Sequence, residues 1–323
     1  MEIIRINYRN IPELPKSVAC IGFFDGIHRG HQALLKKSIS WAKEKNMYSS
    51  MITFDPDPWK VFFPQKVCEH LTTIRDRVHI AKKIGIDYVY VLTFSKGFAA
   101  NSVEDFHEIL HKMNIQALVC GFDFQYASKN SGNVHTLQNQ SYFEVEVVSS
   151  INEEDQKISS SRIEPLVKSG DVLKANQLLG YVYSLSGYIG HGFKRGTNIL
   201  RIPTANLNLK DEYVLPQVAV YSGMVSFEDC IYPAMINVGR NPTFDNELLT
   251  IEAHIIGFNG DLYDKNARFF FLNKIRDEKK FDSIDELRNQ LLKDIETTKN
   301  EMITYKDFVE STSVLWDKKL FNE

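Results

Sequence analysis

The chain has 323 residues, 43% of them hydrophobic and 24% charged, with 38 basic against 41 acidic side chains and a formal net charge of -3. That length exceeds the roughly 100–200 residues of one domain, so two domains are expected, and the composition excludes extended disorder. A charge balance this even gives no general attraction to nucleic acid or an anionic membrane. Any phosphate binding must therefore come from locally placed amides, His, Lys and Arg.

The N-terminal MEIIRINYRN lacks the apolar core of a signal peptide, and no apolar run approaches the roughly 18–20 residues of a bilayer span. Cys20, Cys68, Cys120 and Cys230 form no Cys-x-x-Cys pair and suggest no zinc site. A cytoplasmic protein is expected, with Cys20 and Cys120 as buried reduced thiols in apolar runs.

The first half of the chain alternates short apolar runs with amphipathic segments. Strands are predicted at 18–24, 50–55, 88–94, 117–122 and 143–148. A helix after His31 offers Ala33, Leu34, Ile39 and Ala42 as its apolar face. Another starts at Ser102, with Asp105 completing a capping box. Strands alternating with helices imply a parallel sheet under covering helices. From Val182 to Phe271 the pattern changes to short β-rich runs between turn residues, which predicts a mostly antiparallel barrel or sandwich. A last helix begins near Ser283, with Glu286 completing a capping box and Ile284, Leu287, Leu291 and Ile295 on one face. The boundary falls within Gly180–Ser186, giving domains 1–182 and 183–323.

Two stretches carry the chemistry. In GFFDGIHRGHQALL (22–35), a buried strand runs directly into a helix start. Gly22, Gly26 and Gly30 permit the close backbone approach and positive φ of a phosphate-cradling turn. His28 and His31, three residues apart, can face one ligand and stabilise charge building up on a pentavalent phosphorus. An isolated His-x-x-His is more often a pair of surface histidines. At the carboxyl end of a first strand, where open α/β sheets bind ligands, the ligand reading is favoured.

In the second half, His191, Lys194 and Arg195 are interleaved with Gly190, Gly192 and Gly196, a composition suited to a phosphate loop. Thr204 and Asn206 then supply a hydroxyl and an amide oxygen, hard donors of the kind that hold Mg²⁺ beside nucleotide phosphates. Plainer roles stand beside these. Asp25 and Asp123 suit turns, and Ser159, Ser160 and Ser161 suit a helix cap.

His28-Arg29-Gly30-His31 resembles the His-x-Gly-His signature of nucleotidyltransferases, and the longer string resembles the prokaryotic bifunctional riboflavin kinase/FAD synthetase family. TFDPDP (53–58), GFDF (121–124), ISSSRI (158–163), PTAN (203–206) and NVGRNPTF (237–244) follow in that family's order, with Glu252 in its Glu-x-His element. The resemblance covers nearly the whole chain. It implies a nucleotidyltransferase-like (Rossmann-like) α/β domain, followed by a mostly antiparallel flavokinase β-barrel with a C-terminal helix.

For the first domain it implies transfer of the AMP moiety of ATP to FMN, yielding FAD and pyrophosphate. His28 and His31 are catalytic there, while Gly22, Phe24, Asp25, Gly26, Gly30, Ser159, Ser160, Ser161 and Arg162 bind ATP and its phosphates. Asp123 and Phe62 lie beside the flavin. For the second domain it implies phosphorylation of riboflavin to FMN. His191, Gly192, Lys194 and Gly196 bind ATP phosphates, Thr204 and Asn206 hold Mg²⁺ and phosphate, and Glu252 is the general base toward the ribityl hydroxyl. Arg276 lies near flavin or nucleotide.

Ala127, Asn133 and Arg201-Ile202 depart from the family's usual Gly, Asp and Gly-Phe, and two further departures bear on the first site. Asp57 stands where the family's TFDPHP element has His, and Glu164 stands where its ISSTxIR motif has Arg. They motivate two alternatives: a riboflavin kinase with weakened or lost FAD synthesis, and a flavin-binding regulator that keeps the fold.

Overall fold

The computed structural model describes residues 1–190, 204–243 and 246–321, the side chains of 241–248 excepted. The chain divides into two compact units, Met1–Ser160 and Ser161–Glu323.

The first unit is built on strands β1 (Glu2–Ile6), β2 (Ser17–Ile21), β3 (Tyr48–Asp55), β4 (Tyr88–Thr93), β5 (Ile115–Gly121) and β6 (Glu144–Val148). They form one sheet in the order β1-β4-β3-β2-β5-β6, parallel throughout. Every residue of β2 is buried. A parallel strand covered on both faces needs an unbroken apolar run, which is why VACI reads so clearly as strand. β1 has no such run. It is an edge strand with Glu2, Ile3 and Arg5 exposed, and the sequence pattern gave no strand there.

The helices of this unit are α1 (Arg29–Glu44), α2 (Pro58–Phe62), α3 (Ile74–Ile84), α4 (Lys96–Ala99), α5 (Val103–Lys112) and α6 (Val134–Gln138). The predicted capping box of α5 is present: the Asp105 N–H donates to Ser102 Oγ at 3.1 Å and the Ser102 N–H to Asp105 Oδ2 at 3.0 Å. On α1 the buried residues are Leu34, Leu35, Ser38 and Ala42. Ala33 and Ile39, expected on that face, lie half-buried at its margins. Ser38 fits the interior because its hydroxyl donates to the Leu35 carbonyl at 2.8 Å.

After β2 the chain builds outward through β3 and β4, then returns to lay β5 on the other side of β2. The carboxyl ends of β2 and β5 therefore flank the switch point of the sheet, the place where open α/β sheets leave a crevice. A short hairpin, β7 (Asn152–Glu153) with β8 (Gln156–Lys157), follows β6.

The second unit opens with α7 (Ser160–Lys168, its first residue belonging to the first unit) and α8 (Val172–Leu179). Strands β9 (Ser184–Gly190), β10 (Ala205–Leu209), β11 (Ala219–Phe227), β12 (Cys230–Thr243), β13 (Asn246–Ile255) and β14 (Asn266–Asp277) come next. They pair antiparallel in the order β11-β14-β9-β10-β13-β12, and a β11–β12 pairing closes the ring. Of the barrel or sandwich expected from the turn-punctuated pattern, the chain forms the closed six-stranded barrel that the family resemblance implies, and closure removes the free edges of its strands.

Helices α9 (Ile284–Thr304) and α10 (Lys306–Trp316) and strand β15 (Lys319–Leu320), which pairs parallel with β12, complete the unit. α9 turns in a face shifted from the expected one. Ile284 is 57% exposed, Leu287, Leu291 and Ile295 are half-buried, and Asp294 and Thr298 are fully inside. Its cap also differs. The Glu286 N–H donates to Ser283 Oγ, but the Glu286 carboxylate accepts from the Asp282 N–H rather than from Ser283.

All four cysteines are free, and Cys20 and Cys120 are fully buried as expected. Burial pushes the Cys20 thiol up to about 12 and that of Cys120 up to about 11. Among the described residues no helix is long and apolar enough to cross a membrane.

Candidate active sites

The first site grows out of the end of β2. Beyond Ile21 the chain makes a tight turn in which Phe24, Gly26 and Ile27 all take positive φ, at 58°, 78° and 30°. Only glycine accepts that region without cost, so the two bulky residues mark a turn held in place by its surroundings.

The hold comes from a segment about 45 residues away in the chain. The Asp25 carboxylate accepts from the Leu71 and Thr72 N–H groups at 3.0 and 2.9 Å, and Thr72 Oγ1 accepts from the Gly26 N–H at 2.7 Å. Arg77, 3% exposed, donates to the carbonyls of Phe23 (2.9 Å) and Thr72 (3.2 Å). Asp25 thus fills the turn role set beside its ligand role, and Thr72 and Arg77 are parts of the site that the sequence pattern did not single out.

The turn delivers His28 to the N-cap of α1, where its Nδ1 accepts from the His31 N–H at 3.3 Å. The two imidazoles stack with centroids 3.7 Å apart and planes 18° apart. Of Gly22, Gly26 and Gly30 only Gly26 takes the expected positive φ; at Gly30 a Cβ would lie 3.1 Å from His28 Cε1, close enough that the ring would have to shift. Phe24 is buried, its ring edge-on to His31 at 5.2 Å, so what it offers a ligand is its backbone.

Burial, reinforced by the charge of Lys157, lowers His28 to about 4. Burial first, then His28, Arg77 and Lys157, lowers His31 well below the ordinary imidazole value. Both rings are neutral at pH 7. Since His28 Nδ1 accepts a hydrogen bond, its proton sits on Nε2, which can donate. His31 Nδ1 is buried with no hydrogen-bond partner among the described residues, a vacancy in the hydrogen bonding that a polar ligand would fill.

Ser160 joins this turn, its Oγ donating to the Asp25 carbonyl at 2.8 Å. Ser159 precedes it, and Ser161 and Arg162 continue along α7. Glu164, the charge reversal in that motif, is answered on the same helix by Lys168 at 2.7 Å.

Beside the turn, starting from Gly22, lies a cavity of about 590 Å³. Phe54, Trp59, Phe62, Phe94 and Phe124 are among its aromatic walls, and Asp123 supplies a carboxylate at its rim, ion-paired with Lys157. The weakly indicated pair Phe62 and Asp123 is therefore brought to one cavity. Asp57 caps α2, its Oδ1 accepting from the Trp59 N–H at 2.6 Å, and its Oδ2 lies 2.9 Å from His70 Nε2.

The second site lies on the barrel. Strand register sets Asn206 of β10 opposite Glu252 of β13, and Glu252 opposite Asn237 of β12. Residues directly opposite in antiparallel strands share a face, so a carboxylate is flanked by two amides. Thr204 Oγ1 reaches Glu252 Oε2 at 3.4 Å, and Thr204 lines a cavity of about 250 Å³ with Ile189, Ala253 and Asp261. Burial raises the Glu252 carboxyl above the ordinary value, partly offset by the Thr204 hydrogen bond. Asn237 lay unremarked within NVGRNPTF, and only the register identifies it.

His191, Gly192, Lys194 and Gly196 lie outside the described residues. Arg276 is brought to Asp294 of α9 rather than to Glu252. Its Nε and NH2 lie 3.0 and 2.8 Å from Asp294 Oδ2, and Asp294 is 1% exposed.

Comparison with known proteins matches a different family model to each part of the chain. Residues 10–162 match the FAD synthetase family model and residues 179–302 match that of riboflavin kinase. The bifunctional riboflavin kinase/FMN adenylyltransferase of Listeria monocytogenes is 34% identical, over 87% of this chain and 91% of its own. Its namesake in Bacillus subtilis is 34% identical over 91% and 93%. A solved structure, described as a macrolide-efflux protein from Streptococcus pneumoniae, superposes with a TM-score of 0.87 at 35% identity, covering 92% of this chain and 99% of that one.

Proposed function

The chain belongs to the bifunctional riboflavin kinase/FMN adenylyltransferase family, and from that premise we propose that it converts riboflavin to FMN in the second unit and FMN to FAD in the first, using ATP in both steps. The observation that carries the reading is that each unit brings its own motif to a cavity: Gly22 and Phe23, which lead into the stacked neutral imidazoles, line the aromatic one, and Thr204, which contacts Glu252, lines the barrel one.

In the adenylylation step a phosphate oxygen of FMN attacks the α-phosphorus of ATP, and the bond to pyrophosphate breaks. Charge gathers on the transferring group and on the leaving pyrophosphate. The His28 and His31 imidazoles and the backbone N–H groups opening α1 meet that charge as preorganised donors. No side-chain nucleophile is needed, because the attacking atom belongs to FMN. The flat apolar walls of the 590 Å³ cavity suit an isoalloxazine ring, with Phe62 on its wall and Asp123 at its rim.

In the kinase step Glu252 accepts the proton of the ribityl 5′-hydroxyl as that oxygen attacks the γ-phosphorus of ATP, and the bond from that phosphorus to the bridging oxygen of ADP breaks, releasing ADP. A carboxylate made more basic by burial suits the task. Asn206 and Asn237 flank it and orient the reacting groups. The donors here are hard oxygens, a hydroxyl and amide carbonyls, with no sulfur or imidazole among the residues named. That set fits Mg²⁺, which Thr204 and Asn206 would hold and which neutralises phosphate charge when bound. ATP as co-substrate and four free thiols support a cytoplasmic setting.

The test is chromatographic product analysis of the full chain with ATP and Mg²⁺, starting separately from riboflavin and from FMN. FMN followed by FAD is expected from the first and FAD from the second. No FAD from FMN would refute the adenylylation reading, and no FMN from riboflavin would refute the kinase reading.

A further inference from the structure

His70 takes part in neither motif, yet it is held between two carboxylates. Its Nε2 lies 2.9 Å from Asp57 Oδ2 and its Nδ1 lies 3.9 Å from Asp25 Oδ2. Its side chain is 18% exposed and that of Asp57 only 5%. Each carboxylate is committed elsewhere as well. Asp25 pins the Leu71–Thr72 segment to the turn that leads into His28. Asp57 caps α2 through its other oxygen.

α2 has five residues and buries none of them, while Trp59 and Phe62, both lining the aromatic cavity, are 60% and 46% exposed. A single helical turn does not hold itself in water, because nucleation is unfavourable and no core anchors it. This wall of the cavity is fixed at one end by the edge contact of Phe62 with Phe94 and at the other by its capped N-terminus, where Asp57 lies against His70.

Resting on the adenylylation reading above, we infer that His70 is a positioning residue for the flavin substrate. Through Asp57 it ties the Trp59/Phe62 wall to the same segment that anchors the His28/His31 turn. The flavin wall and the nucleotide turn are thereby set in one frame. His70 lies outside the cavity lining and acts through Asp57. Its loss therefore affects the seating of FMN more than the chemical step.

The test uses the full chain with His70→Ala, Asp57→Asn and the double variant, with His70→Gln as the conservative replacement that keeps a donor toward Asp57. His70→Ala is expected to raise the KM for FMN in FAD formation about tenfold, a change of about 1.4 kcal/mol, with kcat changing much less. Riboflavin phosphorylation should be unchanged, and His70→Gln should restore much of the KM. The effects of the Asp57 and His70 changes on KM should be less than additive, because both break one contact.

In substrate-free protein, amide hydrogen exchange across residues 57–63 should be faster in His70→Ala than in the parent. An unchanged KM for FMN, a loss confined to kcat, or strictly additive effects would overturn the inference. A parent protein that makes no FAD would instead sink the functional reading. The exchange comparison would then decide the role of His70, with equal exchange in parent and variant counting against it.

Discussion

Glu252 is under two opposed demands. As a base it must be ionised, yet burial makes the ionised form costlier in the folded chain than in the unfolded one. A carboxyl whose folded value is raised contributes stability that is fully present below its unfolded value and is lost as pH rises through the folded one. At neutral pH the charge therefore works against the fold. Glu252→Gln is expected to lower kinase turnover by about 10²–10⁴-fold, the usual contribution of a general base. Its melting temperature at pH 7 should equal or exceed the parent's, which thermal unfolding would check. A variant that loses activity because it has become less stable would contradict the assignment. Glu252 was legible from its Glu-x-His setting, but Asn237 was not. The β12–β13 register brings Asn237 to Glu252, fifteen positions further along the chain, and no local pattern encodes that register. His70 and Arg77 escaped notice for the same reason: a lone His or Arg shows its partners only after the chain has brought Asp57, Asp25 and Phe23 to it.

Among the elements, α9 shows how a correct start signal can accompany a face read only in part. Ser283 caps it as expected, and Leu287, Leu291 and Ile295 are half-buried, but the residues that go fully inside are the polar Asp294 and Thr298. Asp294 takes the Arg276 guanidinium and the Gln290 amide, and Glu301 binds Asn273 at 2.8 Å and the hydroxyl of Ser222. Apolar periodicity cannot foresee a helix docked through ion pairs and amides. Removing one partner of a buried ion pair leaves the other charge uncompensated. Asp294→Ala should therefore destabilise the second unit by about 3–5 kcal/mol in denaturant titration, a cost typical of that loss. Arg276→Met combined with Asp294→Leu should recover much of it. A near-neutral Asp294→Ala would mean that α9 is held by something other than this pair. The parallel strands were more legible, because full burial on both faces leaves an unmistakable apolar run. The edge strand β1 needed no such run and left no such trace.

At the scale of the whole molecule, a formal net charge of -3 offers polyanionic substrates no general attraction, so each site must meet phosphate with its own local groups. The ordered motifs, the parallel sheet and the barrel were all readable from sequence, because each rests on local pattern. The anchoring of the first site's turn was not, because it depends on contacts between distant segments. His28 and His31 rest as neutral imidazoles, His28 held so by burial and Lys157, His31 by burial and by His28, Arg77 and Lys157. Phosphate seated against them raises their appetite for protons, so ATP binding near pH 6 should draw protons out of the buffer. Calorimetric titrations of ATP in buffers of different ionisation enthalpy should give apparent binding heats that rise in proportion to that enthalpy, with a positive slope. Changing His28 to Gln should reduce the slope, and a parent slope of zero would mean that the pair stays neutral when ATP is bound. The stacked imidazoles would then make this site a small proton sink, filled when ATP arrives and emptied when pyrophosphate leaves.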